Sequence, residues 1–221
     1  MKVRAIFLAG LAAIALLVVS GPVLDAQARG KAALMSPKEL NEQAPAKFNV
    51  VFDTSAGQFE LEVIREWAPL GVDRFYNLVK RGYYDDNRFY RVMPEYMAQV
   101  GIHGDPEVTK SWLDERIVDD PRGKQSNVKG TVGFVGFGMN RRSTQIHINL
   151  SDNKSMDRQI PPIGRVVSGL NVVEKLYAGY GDVPPTGSGP DQNRLMLEGN
   201  AYLTKDFPKL DYVKTATIKG T

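Results

Sequence analysis

The chain has 221 residues, no cysteine, two histidines and a formal charge of +3. That length suits one domain with additions, and the absence of cysteine excludes disulfides and lipidation at a mature N-terminal cysteine. Basic residues are scattered, with no run beyond a pair such as Arg141-Arg142, so no basic stripe points to nucleic acid, and two histidines are too few for a zinc site.

The first segment reads as a secretory signal peptide over 1–28. Lys2 and Arg4 form a charged start, Ala5 to Val19 an uninterrupted apolar run, and Ala26-Gln27-Ala28 an A-x-A cleavage site. The run falls short of the roughly 20 residues that a membrane span needs. Cleavage before Arg29 is the favoured reading and an uncleaved anchor the alternative. Cleavage would yield an exported protein, periplasmic or secreted, with no stable membrane insertion. Residues 29–47 are polar and read as a tether, in which Ser36-Pro37-Lys38-Glu39 has the form of a capping box and starts a short helix.

The folded domain is expected over 48–221. Strands at 48–53 and 58–64 flank the turn Ser55-Ala56-Gly57; Phe59, Leu61 and Val63 alternate with Gln58, Glu60 and Glu62, the pattern of a half-buried antiparallel strand. A helix over 69–81 has Val72, Phe75, Leu78 and Val79 on its apolar face and Gly82 as its stop. Strands follow at 88–93 and 96–102. Residues 103–127 are charged and irregular. Further strands lie at 130–134, 145–149 and 164–167. Leu170, Val173, Leu176 and Tyr177 mark a second helix, 181–192 is a Gly/Pro-rich loop, and 212–218 is a closing strand. Many short strands with two helices fit a mainly β fold, a closed eight-stranded antiparallel barrel with two capping helices.

Arg88-Phe89-Tyr90-Arg91-Val92-Met93-Pro94-Glu95-Tyr96-Met97-Ala98-Gln99-Val100-Gly101 resembles the signature of the cyclophilins, β-barrel peptidyl-prolyl cis-trans isomerases. Phe89, Arg91, Pro94, Met97, Gln99 and Gly101 match it. Tyr96 replaces another aromatic, and Tyr90 stands where the family often has His. A second match runs from Gly130 to Phe137 and on through Ser143-Thr144-Gln145-Ile146-His147-Ile148. The run Glu198-Gly199-Asn200-Ala201-Tyr202-Leu203, with 206–212, resembles an extension in a subgroup of exported bacterial cyclophilins.

The resemblance implies catalytic roles for Arg91, Gln99 and Gln145, and a substrate groove lined by Phe89, Tyr96, Met97, Val135, Gly136, His147, Met156 and Ile160. Rotation about a peptide bond costs about 18–20 kcal/mol, and X–Pro bonds interconvert slowly although their two forms are close in energy. Catalysis therefore needs no metal, cofactor or nucleophile. It needs a donor to the prolyl nitrogen, whose lone pair is free only in the twisted state. The permanently charged fork of Arg suits this better than Lys, and about 7 kcal/mol of stabilisation would give roughly five decades of rate.

Several groove positions depart from the family. Gly136 replaces an Asn, Val135 a smaller Ala and His147 the Phe that floors the proline slot. Ser155 and Ile160 stand near the usual Trp and His. A polar floor should weaken proline burial, so the activity is expected to be weaker or altered in preference. It should also fall as His147 titrates, near pH 6.5 for an unperturbed imidazole. The partners expected are proline-containing polypeptides, met by a monomer. A non-catalytic peptide-binding or chaperone module on the same fold is the competing reading, and a barrel binding an unrelated small ligand a third.

Overall fold

The computed structural model describes residues 30–121, 125–136 and 138–220. The expected signal peptide and its cleavage site lie outside the described residues. Among the described residues, no helix is long and apolar enough to cross a membrane.

Eight strands form one antiparallel sheet: β1 (Lys47–Thr54), β2 (Gly57–Ile64), β3 (Arg91–Met93), β4 (Met97–Val100), β5 (Thr131–Phe134), β6 (Ile146–Asn149), β7 (Pro162–Ser168) and β8 (Val213–Ile218), in the spatial order β3-β4-β6-β5-β7-β2-β1-β8. The alternation read from the sequence is the one observed. Phe48, Val50 and Phe52 of β1 and Phe59, Leu61 and Val63 of β2 are buried in one core, where Phe52 stacks on Phe59 with ring centres 4.9 Å apart.

The sheet is strongly curved but does not close as expected. Its ladder ends at β3 on one side and β8 on the other, so it is an open half-barrel. Across the gap, the segment before β3 meets the start of β8 through the bridge Arg88–Tyr212 and through backbone bonds from Phe89 N to Asp211 O (2.9 Å), from Asp86 N to Val213 O (2.8 Å) and from Val213 N to Asn87 O (2.9 Å).

Helix α1 (Pro69–Lys80) matches the expected helix and buries Val72, Phe75, Leu78 and Val79. The amides of Leu70 and Gly71 donate to the two carboxylate oxygens of Asp120 (2.7 and 2.9 Å). Asp120 is in turn paired at 2.8 Å with Arg142, buried beside it. The stretch expected to be irregular contains α2 (Pro106–Trp112), opened by Asp105, whose carboxylate accepts from Glu107 N, and by Pro106 at the first position. The second expected helix shrinks to one turn, α3 (Leu170–Val173), because Tyr177 N is drawn to Asp211 Oδ2 at 2.7 Å. A longer helix, α4 (Gln192–Asp206), occupies the C-terminal extension, kinked at Gly199. It packs on α2 and organises a second hydrophobic cluster of Tyr90, Ile102, Leu195, Tyr202, Leu203 and Leu210.

The segment read as a tether is part of the folded body. Its Leu34, Leu40 and Ala44 enter the main core, and Pro37–Glu39 forms a short 3-10 turn. Leu34 O accepts from Trp112 Nε1 at 2.8 Å, and Asn77 exchanges bonds with both Glu42 N and Glu42 O (3.1 and 2.7 Å). Sparse apolar residues in a polar stretch gave no period, yet each finds a pocket. Leu34→Ala should therefore lower the unfolding free energy by about 2–5 kcal/mol in urea titration, whereas a free tether would leave it unchanged.

Candidate active site

Antiparallel pairing aligns one row of residues across four strands. Arg91 of β3 faces Gln99 of β4, Gln99 faces His147 of β6, and His147 faces Gly133 of β5. Directly opposed residues share a face of the sheet. The adjacent row, Val92, Ala98, Ile148 and Val132, lies in the core, so the Arg91 row lies on the opposite, outer face. Met97, two residues along β4 from Gln99, shares that face.

Gln145 joins this row from the start of β6. Its position depends on Gly101, which ends β4 with φ 114°; a Cβ there would lie 2.6 Å from Thr144 O. Any side chain would push the Thr144–Gln145 backbone away from β4. With glycine in place, the amides converge. Gln99 Oε1 accepts from Arg91 Nη1 at 3.2 Å, and Gln99 Nε2 donates both to Tyr90 Oη and to Gln145 Oε1 at 2.9 Å. Tyr90 Oη donates to the same Gln145 oxygen at 2.6 Å. Burial pushes the Tyr90 hydroxyl far above its ordinary value, with Arg91 and Gln99 opposing the shift, so it stays a protonated donor. Arg91 Nε is held by Asp182 at 2.5 Å. Among the described residues, nothing engages Arg91 Nη2, and Gln145 Nε2 is likewise unengaged.

Gln145 also lines a cavity of about 340 Å³ with Thr109, Trp112, Arg116, Arg141 and Met196.

His147 is 1% exposed, and its Nε2 has no hydrogen-bond partner among the described residues. Ile160 covers it above Gly133. A Cβ on Gly133 would fall 2.8 Å from Ile160 Cγ2 and 3.1 Å from His147 Cε1, so the site holds its imidazole only because residue 133 is glycine. Burial pushes His147 down to about 4, the charge of Arg91 adds to the shift, and the Gly133 backbone opposes it. The first two influences favour the neutral form, as burial beside Arg91 leads one to expect, and the titration moves below the ordinary working range.

The other expected groove residues divide. Met97, Met156 and Ile160 are buried outside the main core, the last two on the segment that begins with the 3-10 turn Lys154–Arg158. Asp157 pins that segment by accepting from Asn127 N (2.7 Å) and Ser126 Oγ (2.5 Å). Tyr96 is half-buried at the β3–β4 turn, and Val135 and Gly136 are half-buried beyond β5. Gly136 is needed where it stands, since a Cβ would meet the Arg141 carbonyl carbon at 2.9 Å. Phe89 is corrected: it precedes β3, and its ring is fully buried within the main core rather than lining the groove. Tyr90 and Asp182 were not expected in the cluster. Tyr90 was noted only as a substitution for His, and Asp182 is an acid in a glycine-rich loop, a signal too common to single out.

The burial of His147 links it to stability. Its folded value, about 4, lies below the unfolded value of about 6.5, so the unfolded chain binds more protons between these limits and folding weakens as pH falls through them. Wild type should lose about 3 kcal/mol more than His147→Phe between pH 7 and pH 4, measured by denaturant titration at each pH. The His147 ring resonances should titrate well below pH 5 in NMR spectra.

A family profile described as "Cyclophilin type peptidyl-prolyl cis-trans isomerase/CLD" matches residues 49–195. The chain is 34% identical over 132 residues to a peptidyl-prolyl cis-trans isomerase-like 1 of Rhizopus delemar, covering 58% of this chain and 78% of that one. It is 33% identical over 133 residues to the protein of the same name from Aspergillus fumigatus, covering 58% and 81%. A crystal structure of a cyclophilin type peptidyl-prolyl cis-trans isomerase from Cryptosporidium parvum superposes with a TM-score of 0.58 at 17% identity, over 79% of this chain and 99% of that one, which reflects the shared fold. The profile covers well over half of the sequence and includes every residue of the Arg91 cluster, and the chain belongs to the cyclophilin-type peptidyl-prolyl cis-trans isomerases.

Proposed function

We propose that this isomerase acts on X–Pro bonds of exported polypeptides during folding, by a non-covalent mechanism in which Arg91 donates to the prolyl nitrogen. The observation that carries the reading is the hydrogen-bonded row of Arg91, Gln99 and Gln145. It fixes one face of the guanidinium through Gln99 and leaves Nη2 as an uncommitted donor. In the planar ground state the prolyl nitrogen shares its lone pair with the carbonyl and is a poor acceptor. In the twisted state the lone pair localises, and the bond from Arg91 strengthens just there. Gln145 Nε2 is placed to hold the substrate backbone, while Met97, Met156 and Ile160 supply apolar surface for the ring. No step requires a metal or cofactor.

Export rests on the Lys2/Arg4 start, the apolar run and Ala26-Gln27-Ala28. The run 198–203 with 206–212, which resembles an extension in a subgroup of exported bacterial cyclophilins, supports the same compartment. Clients would then be unfolded or partly folded chains emerging after translocation, met by a monomer.

Arg91→Ala should lower kcat/KM on a short X-Pro peptide by about 10²–10³-fold, the loss expected for a donor aimed at transition-state charge, with the peptide still bound. A variant as fast as wild type would sink the assignment of Arg91. Peptide binding by a wild-type protein that lacks isomerase activity would favour the non-catalytic binding module. For the compartment, N-terminal sequencing of protein from the extracytoplasmic fraction should begin at Arg29; Met1 there would refute cleavage.

A further inference from the structure

We infer that Asp182 is a positioning residue for Arg91, holding the guanidinium from the side on which the sheet offers no neighbour. The inference rests on the reading of Arg91 as the donor to the prolyl nitrogen.

Arg91 lies on β3, an edge of the sheet. Gln99 supports it from within, through a neutral bond of 3.2 Å. Among the described residues no strand lies beyond the edge, and a long flexible side chain held at one point samples several rotamers. Asp182 supplies the second point. Its Oδ1 meets Arg91 Nε at 2.5 Å, with both side chains only 18% exposed, so the contact is charge-assisted and weakly screened. Two attachments on different nitrogens define the plane of the fork and leave Nη2 as its free corner.

Asp182 is itself built into place. Oδ1 also accepts from Val183 N at 2.8 Å and Oδ2 from Thr186 Oγ1 at 2.7 Å. Its main-chain oxygen accepts from Gly189 N at 2.8 Å. A Cβ on Gly187 would collide with that same oxygen, so the loop closes around Asp182 only with glycine there. The loop is anchored on the second hydrophobic cluster. Val183 packs against it, and Asp191 N donates to Tyr202 Oη at 3.0 Å. Tyr90, the chain neighbour of Arg91, belongs to this cluster too. The chain neighbours of Arg91 and of Asp182, Tyr90 and Val183, thus meet in one hydrophobic cluster that α4 helps to build.

The carboxylate partly neutralises the donor, yet a fixed direction outweighs that loss, because small misplacements of a catalytic group cost up to about 100-fold in rate. Since Arg91 acts in the twisted state, loosening it should lower kcat and spare ground-state binding.

The test combines NMR exchange at saturating X-Pro peptide, peptide affinity, and the Arg91 Nε–H resonance. Asp182→Ala should lower kcat about 10- to 100-fold with affinity held within about twofold. Asp182→Asn, which keeps an acceptor without the charge, should be intermediate. The loss should vanish in the Arg91→Ala background, since the residue acts only through Arg91. The Arg91 Nε–H should exchange slowly with water in wild type and rapidly in Asp182→Ala. An Asp182→Ala rate equal to or above that of wild type overturns the inference. So does a loss that persists undiminished with Arg91→Ala, or an Nε–H that exchanges freely in wild type. If Arg91→Ala itself keeps the full rate, the reading of Arg91 falls and the inference with it; if only Asp182→Ala keeps it, the inference falls alone.

Discussion

The register between β3, β4, β6 and β5 is the constraint on which the site depends. One residue of slip would turn Arg91, Gln99 and His147 into the core and bring Val92, Ala98 and Ile148 to the surface. The apolar row prevents that slip, since Val92, Ala98, Ile148 and Val132 all lie in the main core. The energetics of the interior thus fix the geometry of the exterior. Gly101 completes the arrangement by letting the Gln145 backbone pass close to β4, which an added Cβ would block.

A polar cluster on the outer face of a sheet would ordinarily be solvated and mobile. Here it is roofed. Tyr90 and Gln99 are almost fully buried, and every polar atom they bring in is matched, as Gln99 bonds to Arg91, Tyr90 and Gln145. A matched network in low dielectric is stiff, whereas a gap in it would be costly. The Tyr90 ring reaches the α4 cluster while its hydroxyl serves the two glutamines. The C-terminal extension is therefore continuous with the site through a single side chain.

The outer face away from Arg91 follows a different logic. His147 is buried, but its Nε2 stays unpaired among the described residues, so that part of the groove tolerates an unsatisfied nitrogen under Ile160. Burial keeps the imidazole neutral and avoids a second cation near Arg91. The buried pair of Arg142 and Asp120 ties the loop after β5 to the start of α1. Removing either partner would strand a charge in the interior.

The sequence by itself determined the family, the β1–β2 hairpin, helix α1 and the residues of the Arg91 row, because alternation, period and motif spacing are local properties. It also carried a helix start at Asp105-Pro106, which a charged stretch concealed. Tertiary structure decided what depends on distant partners. Leu34, Leu40 and Ala44 lack a period, and only the pockets they fill make their segment part of the core. The ladder stops at β3 and β8, whose partners across the gap are set by how distant segments of chain pack and not by either strand's own sequence. Phe89 leaves the groove because its ring finds its place in the main core, among residues distant in sequence. Asp182 reaches Arg91 across 91 residues of chain, and no sequence pattern encodes that contact, since it arises only when α4 folds its loop over the open edge of the sheet.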